Sequence, residues 1–310
     1  MNISVVIPNY NGKELLNKNL PKIFQELDKY NDLEKEVIVV DDGSDDESVF
    51  LLKELSKKYK NLKFLENKKN LGFSTSVNKG VKASSGEIVI LFNTDTYPDG
   101  DFLKPLAEDF EDLDLFAVGF MDKSIENGQE VLRGRGLGNW KRGFLIHRRG
   151  EVNKTNTLWA NGGSSAFRKS IWEKLGGLNE FYNPFYWEDI DLSYRALKSG
   201  YKVIFESKII VYHEHEKGAI RKKYSPFQIK TISYKNQFIF VWENATDFNL
   251  QIQHLLYLPY HFIKALTRGD WAFFLGLFKA FILLPKIIKS SFENQALFKK
   301  SDLEITKNIQ

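Results

Sequence analysis

Strand-like and helix-like stretches alternate through the first hundred residues, and this order constrains the fold more than any other feature of the chain. Ile3 to Ile7 is an apolar run that reads as a buried strand. Leu16, Leu20, Ile23, Leu27 and Tyr30 follow at spacings of three and four, the signature of one helix face. "EVIVV" supplies a second strand, "LKFLEN" a third and "EIVILF" a fourth, with helical stretches between them. Ser44 and Glu47 stand in the S-x-x-E capping relation ahead of Val49, Leu52, Leu55 and Tyr59, which predicts a helix opening at Ser44. This order predicts βαβ units and an α/β fold with a largely parallel sheet.

Ligands of such sheets bind beyond the carboxyl ends of the strands. Here those ends are polar: "PNYN" after the first strand, "DDGSDD" after the second and "NTDT" after the fourth. Asn9, Asp42 and Asp95 are therefore expected to converge on one edge. Asp41 suits a cap on the next helix. Asp42, if held in a pocket, can accept the N3–H of a uracil or thymine ring. Asp95 between two threonines fits a turn, and it equally fits a hard divalent cation, which needs few protein carboxylates when water and phosphate oxygens complete its shell.

The chain of 310 residues has room for one large α/β domain and a smaller appendage. Its 44 basic and 40 acidic residues nearly cancel, which argues against nucleic acid as a partner. Cysteine is absent, excluding thiolate ligands, a cysteine nucleophile and a disulfide framework. The chain enters its first strand without the basic and apolar regions of a secretory leader, so a cytoplasmic location is expected.

Beyond residue 120 the periodicity weakens. Gln129 to Gly150 holds six basic side chains and five glycines, a composition that predicts a mobile loop, either solvated surface or a phosphate-contacting lid. From Asn249 the chain turns to Leu, Phe, Tyr and Ile punctuated by Lys264, Arg268, Lys279, Lys286 and Lys289, the pattern of helices lying in a membrane interface, although a dimer interface would use the same faces. Between these regions lies "NPFYWEDIDLSYRALKSGYKVI", with Glu188, Asp189 and Asp191 at a helix start. Asp191 suits the positive end of that helix. Trp187 and Trp159 are large aromatics that suit either a stacking platform for a ligand or the core.

"VVIPNYNG", "VVDDGSDD", "NLGFSTSVNKG", "LFNTDTYP", "NGGSSAFRKS", "WEDIDLSYRALKSGY" and "VYHEH" occur in this order. The ordered set resembles the family 2 inverting glycosyltransferases of GT-A fold, in particular the bacterial rhamnosyltransferase-type enzymes of surface polysaccharide synthesis. The resemblance implies a transferase domain over residues 1–217, leaving 218–310 as a helical, membrane-associating module. It implies a donor pocket of Pro8, Asn9, Asn11, Asp42, Asn70, Gly72, Asn93, Gly162 and Gly163, with Asp42 reading a UDP or dTDP base. The family's Asp-x-Asp motif falls on Asn93-Thr94-Asp95, so Asp95 becomes the principal ligand of Mn2+ or Mg2+, with His213 as second ligand and His215 as its alternative. Asp189 is implied as the general base and Glu188 as an acceptor-orienting group, with Trp187 also on the acceptor side.

The expected function is sugar transfer from a nucleotide sugar to a glycan or polyprenyl-diphosphate-linked acceptor, by an enzyme peripheral to the inner face of the cell membrane. A non-catalytic nucleotide-sugar-binding relative is the alternative, suggested by Asn93. A nicotinamide-dependent dehydrogenase is disfavoured because the first strand runs into "PNYNG" instead of G-x-G-x-x-G.

Overall fold

The computed structural model describes residues 1–30, 33–126, 128–214, 223–307 and 309. His215 lies outside the described residues. Strands β1 (Ile3–Asn9), β2 (Lys35–Asp41), β3 (Leu62–Glu66) and β4 (Ile88–Phe92) alternate with helices α1 (Lys13–Leu27), α2 (Ser48–Lys58) and α3 (Phe73–Ala83). These strands lie in the order β3-β2-β1-β4 and pair in parallel, as the alternation predicts. β5 (Thr96–Asp99), helix α4 (Leu103–Asp109), β6 (Leu115–Glu126) and β7 (Gln129–Arg133) follow, then the hairpin β8 (Gly136–Lys141) and β9 (Phe144–Arg149). β10 (Ser164–Arg168), α5 (Lys169–Lys174), α6 (Glu188–Lys198) and β11 (Lys202–His213) complete this part.

Beyond β4 the sheet turns mixed: β10 runs antiparallel to both β4 and β6, and β11 is parallel to β6 but antiparallel to β5. The largely parallel sheet expected from sequence thus holds for its first four strands. Alternate residues of β1 feed opposite layers, Ile3, Val5 and Ile7 joining α1 and α4 while Val6 joins α3, because successive strand side chains point to opposite faces.

The basic stretch expected to be a mobile loop is an ordered hairpin. Arg142 and Gly143, at φ 53° and 76°, form its two-residue turn, a conformation whose twist matches that of the flanking strands. Leu137, Trp140, Phe144 and Leu145 anchor the hairpin in the core. Arg135 is buried and donates to the backbone and side-chain oxygens of Asn156, and Arg133 pairs with Glu126, so only Lys141, Arg142, Arg148 and Arg149 of the six cations are exposed.

Helices α7 (Pro226–Asn244), α8 (Phe248–Thr267), α9 (Trp271–Ile282), α10 (Leu284–Gln295) and α11 (Asp302–Lys307) form the C-terminal region. Ser225 opens α7 with a capping box to Gln228, and Pro226 sits where a missing N–H costs nothing. Phe238, Ile239, Phe240 and Val241 of α7 share one core with the hairpin and with Trp187, Ile190 and Tyr194 around α6. Leu192 and Ala196 on the opposite side of α6 pack toward the sheet. Helix α6 is therefore covered on both sides, and its polar residues must find partners inside the protein.

Candidate active site

The polar strand ends converge as predicted. Asp42 N donates to Asn9 O across β1 and β2 at 2.7 Å, and Asn9 Nδ2 donates to Asp41 Oδ1 at 2.7 Å. Ser44 does not cap α2: its hydroxyl and amide donate to Asp41, and the helix begins only at Ser48. The predicted capping relation fails because Asp41 competes for the serine and closes the "DDGS" turn first. Asn11, in the left-handed region at φ 52°, accepts from Asp45 N at 2.9 Å and fastens the first loop to the second.

Asp42 has a task that its sequence position does not announce. Its Oδ1 accepts from Asn67 Nδ2 and Leu71 N, and its Oδ2 from Gly72 N, each at 2.9 Å. A carboxylate has about four lone-pair sites, so capacity for a base N–H remains. Gly72 is required as glycine: it sits at φ 95°, and a Cβ there would lie 2.6 Å from Asn183 Oδ1. Asn70 is exposed on the same loop. Asn183 receives Ser74 N at 3.0 Å and donates to Thr75 Oγ1 at 2.8 Å, linking the Gly72 loop and the start of α3 to the segment that carries the acids.

Asp95 and His213 meet, at 3.4 Å between Oδ1 and Nε2. The other ring nitrogen of His213 lies 2.9 Å from Asp122 Oδ2, which directs Nε2 toward Asp95. Burial opposes a charged imidazole, yet the hydrogen bonds and charges of Asp122 and Asp95 outweigh it and hold the pKa up to about 9. Asp122 was not singled out in sequence; it stands on β6, where periodicity gives no sign of a partner. Asn93 accepts no such role directly: its amide N donates to Gly163 O at 3.0 Å, and a Cβ on Gly163 would overlap the Asn93 side chain at 2.3 Å.

The Asn161–Gly163 turn joins this group to the acids, since Gly162 N donates to Asp189 Oδ2 at 3.2 Å. Asp189 Oδ1 accepts from Ile190 N at 2.8 Å. Glu188 is 7% exposed and its Oε2 has no hydrogen-bond donor among the described residues. Burial, reinforced by the charge of Asp189, pushes the Glu188 pKa well above the ordinary carboxyl range. Burial also raises that of Asp189, but the amides of Ile190 and Gly162 oppose it. The amides of Ile190 and Gly162 favour the charged form of Asp189, whereas Glu188 has only its own backbone amide and faces the charge of Asp189, so the proton of the pair is favoured on Glu188.

Two bulky residues immediately before the pair, Tyr186 and Trp187, occupy the left-handed region at φ 71° and 78°. Such residues cost about 1–3 kcal/mol each and persist only where surroundings enforce them. Trp187 is 4% exposed, its ring against Phe240 and His147. The acceptor-stacking role expected for Trp187 is thus corrected to a core role, leaving the half-exposed Tyr186 as the accessible ring. Asp191 is fully buried, bound by Arg195 Nε at 2.8 Å, Tyr182 OH at 3.0 Å and Asn244 Nδ2 at 2.7 Å. It holds α6 in place and has no route to a substrate.

A family model, glycosyl transferase family 2, matches residues 4–176. The chain belongs to glycosyl transferase family 2. The match ends before the Glu188–Asp189 pair of this family 2 chain and covers none of α7 to α11. Among curated relatives, the dolichol-phosphate mannosyltransferase of Pyrococcus furiosus is 32% identical over 120 residues, 38% of this chain and 33% of that protein. The O-antigen chain rhamnosyltransferase RfbN of Salmonella typhimurium is 24% identical over 220 residues, 69% of this chain and 67% of that protein. The chain thus spans only a third of the first relative's length. Among solved structures, GalNAc-T7 with UDP, GalNAc and Mn2+ superposes with a TM-score of 0.64 at 19% identity, over 80% of this chain and 48% of that one. S. aureus TarS 1-349 does so with 0.56 at 18% identity, over 100% of this chain and 90% of that one. These likenesses establish the GT-A fold, with its mixed sheet, flanking helices and C-terminal helical region.

Proposed function

We propose that the protein is an inverting glycosyltransferase that moves a sugar from a UDP- or dTDP-sugar to a glycan or lipid-linked acceptor, with Asp189 as general base. The observation that carries this reading is the division of labour at the start of α6: Asp189 accepts the Gly162 amide, across a three-residue turn from Asn93 and Asp95, while Asp191 is locked to Arg195. A single displacement needs one carboxylate to take the acceptor hydroxyl proton as that oxygen attacks the anomeric carbon. Asp189 is that carboxylate, and protonated Glu188 beside it donates to and orients the acceptor.

The Asp95–His213 pair suits Mn2+ or Mg2+. Adjacent ligands of an octahedral ion at about 2.1 Å lie about 3 Å apart, close to the 3.4 Å between these atoms. Asp122 fixes the tautomer that leaves Nε2 available, the carboxylate–histidine support common behind metal-binding imidazoles. Asp95 and His213 would hold the ion, which when bound neutralises charge on the leaving diphosphate. Asp42, with Pro8, Asn9, Asn11 and the Gly72 loop, holds the nucleotide, and Gly162 and Gly163 admit the donor sugar close to the backbone. Support for a nucleotide sugar comes also from GalNAc-T7, solved with UDP and Mn2+.

Residues 1–217 would carry the chemistry and 218–310 the membrane contact. Leu255, Leu256, Ile263, Trp271, Phe278 and Phe281 are exposed on α8 and α9, and cations Lys264, Arg268, Lys279, Lys286 and Lys289 lie among them and on α10. That combination supports a peripheral site on an anionic leaflet. No single helix among the described residues is long and apolar enough to cross a membrane. Donor screening by thermal shift with Mn2+, followed by product analysis at the anomeric centre, tests the reading. Retention of configuration, or no nucleotide diphosphate binding, would overturn it.

A further inference from the structure

We propose that Lys235 and Asn236 of α7 are positioning residues for sugar transfer, fixing the backbone that presents Glu188 and Asp189. The proposal rests on the inverting-transfer reading above. Asn236 is fully buried, and its side-chain Nδ2 faces the carbonyls of Tyr182, Phe185 and Tyr186 at 2.9, 2.9 and 2.8 Å. Three acceptors around one end of an amide require the NH2 group there. Lys235 Nζ donates to Phe181 O at 2.9 Å and to Asn183 O at 2.7 Å. The remaining carbonyl, of Pro184, takes the Phe73 amide at 3.2 Å.

Every carbonyl from Phe181 to Tyr186 therefore meets a donor from outside the segment, five of them on two consecutive residues of one helix. This cage surrounds the strained step at Tyr186 and Trp187. A left-handed backbone persists when its peptide groups are held from outside, and Asn236 grips the carbonyl of Tyr186, the first of the two. The direction of the first turn of α6, and with it the aim of Asp189, follows from that conformation. Phe240, one helical turn beyond Asn236, packs on the Trp187 ring at 5.2 Å, and Asn244 reaches Asp191 at 2.7 Å. The C-terminal helices thus brace the acid pair as well as offering an apolar face, and a chain cut before α7 would keep Asp189 itself but lose the donors that hold the turn before it.

The test uses the full chain carrying Asn236→Leu or Lys235→Met. Three quantities are read: hydrogen exchange of residues 181–190, calorimetric binding of UDP with Mn2+, and steady-state turnover of whichever UDP- or dTDP-sugar the unmodified protein uses. The expected result is exchange faster by about tenfold or more in 181–190 with β1 to β4 unchanged. UDP affinity stays within about twofold, and kcat falls about 100-fold at nearly constant donor KM, the scale of a slightly misplaced catalytic group. A merely structural role would lower UDP binding and sheet protection together with kcat, and that result overturns the proposal; so does unaltered kcat in folded variants. If Asn236→Leu does not fold, Asn236→Ser carries the same comparison, and Lys235→Arg, which keeps a donor, is expected to recover part of the kcat lost in Lys235→Met. Absence of turnover in the unmodified protein defeats the transfer reading, whereas unchanged exchange in 181–190 defeats the positioning claim.

Discussion

Asp189 and Asp191 stand two residues apart on one helix, and replacing each by asparagine should give opposite outcomes. Asp191→Asn keeps the shape of the side chain but leaves the Arg195 guanidinium without its anion, in a site where both partners are at least 97% inaccessible. Removing one partner of a buried pair costs about 3–5 kcal/mol. The surviving donations of Arg195 to Leu175 O and Gly177 O keep the cation where it is, so it cannot escape to solvent. With an unfolding entropy near 2.1 cal/mol/K per residue, 310 residues give about 0.65 kcal/mol/K, and such a loss lowers Tm by about 5–8 °C. Asp189→Asn instead removes a charge that burial disfavours, so Tm should hold or rise. Its transfer rate should drop by about 10²–10⁴-fold, the contribution of a general base. Differential scanning calorimetry and a product-release assay on the two purified variants decide the matter. Loss of transfer in Asp191→Asn at unchanged Tm, with transfer retained in Asp189→Asn, would refute the assignment of roles.

Three further outcomes follow from the same contacts. Asp95→Ala and His213→Ala should each abolish calorimetric Mn2+ binding in the presence of UDP, and Asp122→Asn should weaken it by about 10–100-fold through the imidazole it orients; undiminished binding in all three would place the ion elsewhere. Burial, first, and the charge of Asp191 raise the Glu243 pKa to about 8 from an ordinary 4.5, so the folded state binds the extra proton between those values. The stability Glu243 contributes is complete below the unfolded pKa and is lost as pH rises through the folded one, so Tm should fall from pH 5 to pH 8.5 and Glu243→Gln should flatten that slope; a slope unchanged in Glu243→Gln would assign it to another group. Vesicles containing anionic lipid should retain the protein at low salt and release it as salt rises, and the double change Leu255→Ser and Leu256→Ser should weaken retention without altering UDP binding; equal retention by neutral vesicles would remove the cations from the argument.

Much of the strand-end cluster was legible in sequence because strand and helix periods are local. Asn9, Asp42 and Asp95 end three strands whose order follows from βαβ handedness and adjacency, so their convergence needed no tertiary information. The same local logic misjudged two stretches. Ser44 looked like a cap because four letters matched, whereas Asp41 takes its hydroxyl; the basic 129–150 stretch looked mobile because glycine and arginine dominate its composition, whereas Arg142 and Gly143 form the turn of a tight hairpin. Trp187, read as a possible sugar platform, is core because α7 covers it.

By itself the sequence determined the strand-helix alternation, the polar strand ends and the adjacency of Glu188 to Asp189, all of which depend on neighbours within a few residues. The tertiary structure decided which of the acids is available. Asp191 is a buried anchor because Arg195, Tyr182 and, from α7, Asn244 all meet on it, and His213 gained its orientation from Asp122, 91 residues away. The left-handed turn at Tyr186 and Trp187 is likewise enforced by Asn236 from 50 residues downstream. Such choices lie beyond pattern reading because desolvation and hydrogen-bond satisfaction are properties of the packed interior, and they acquire values only after distant segments have met.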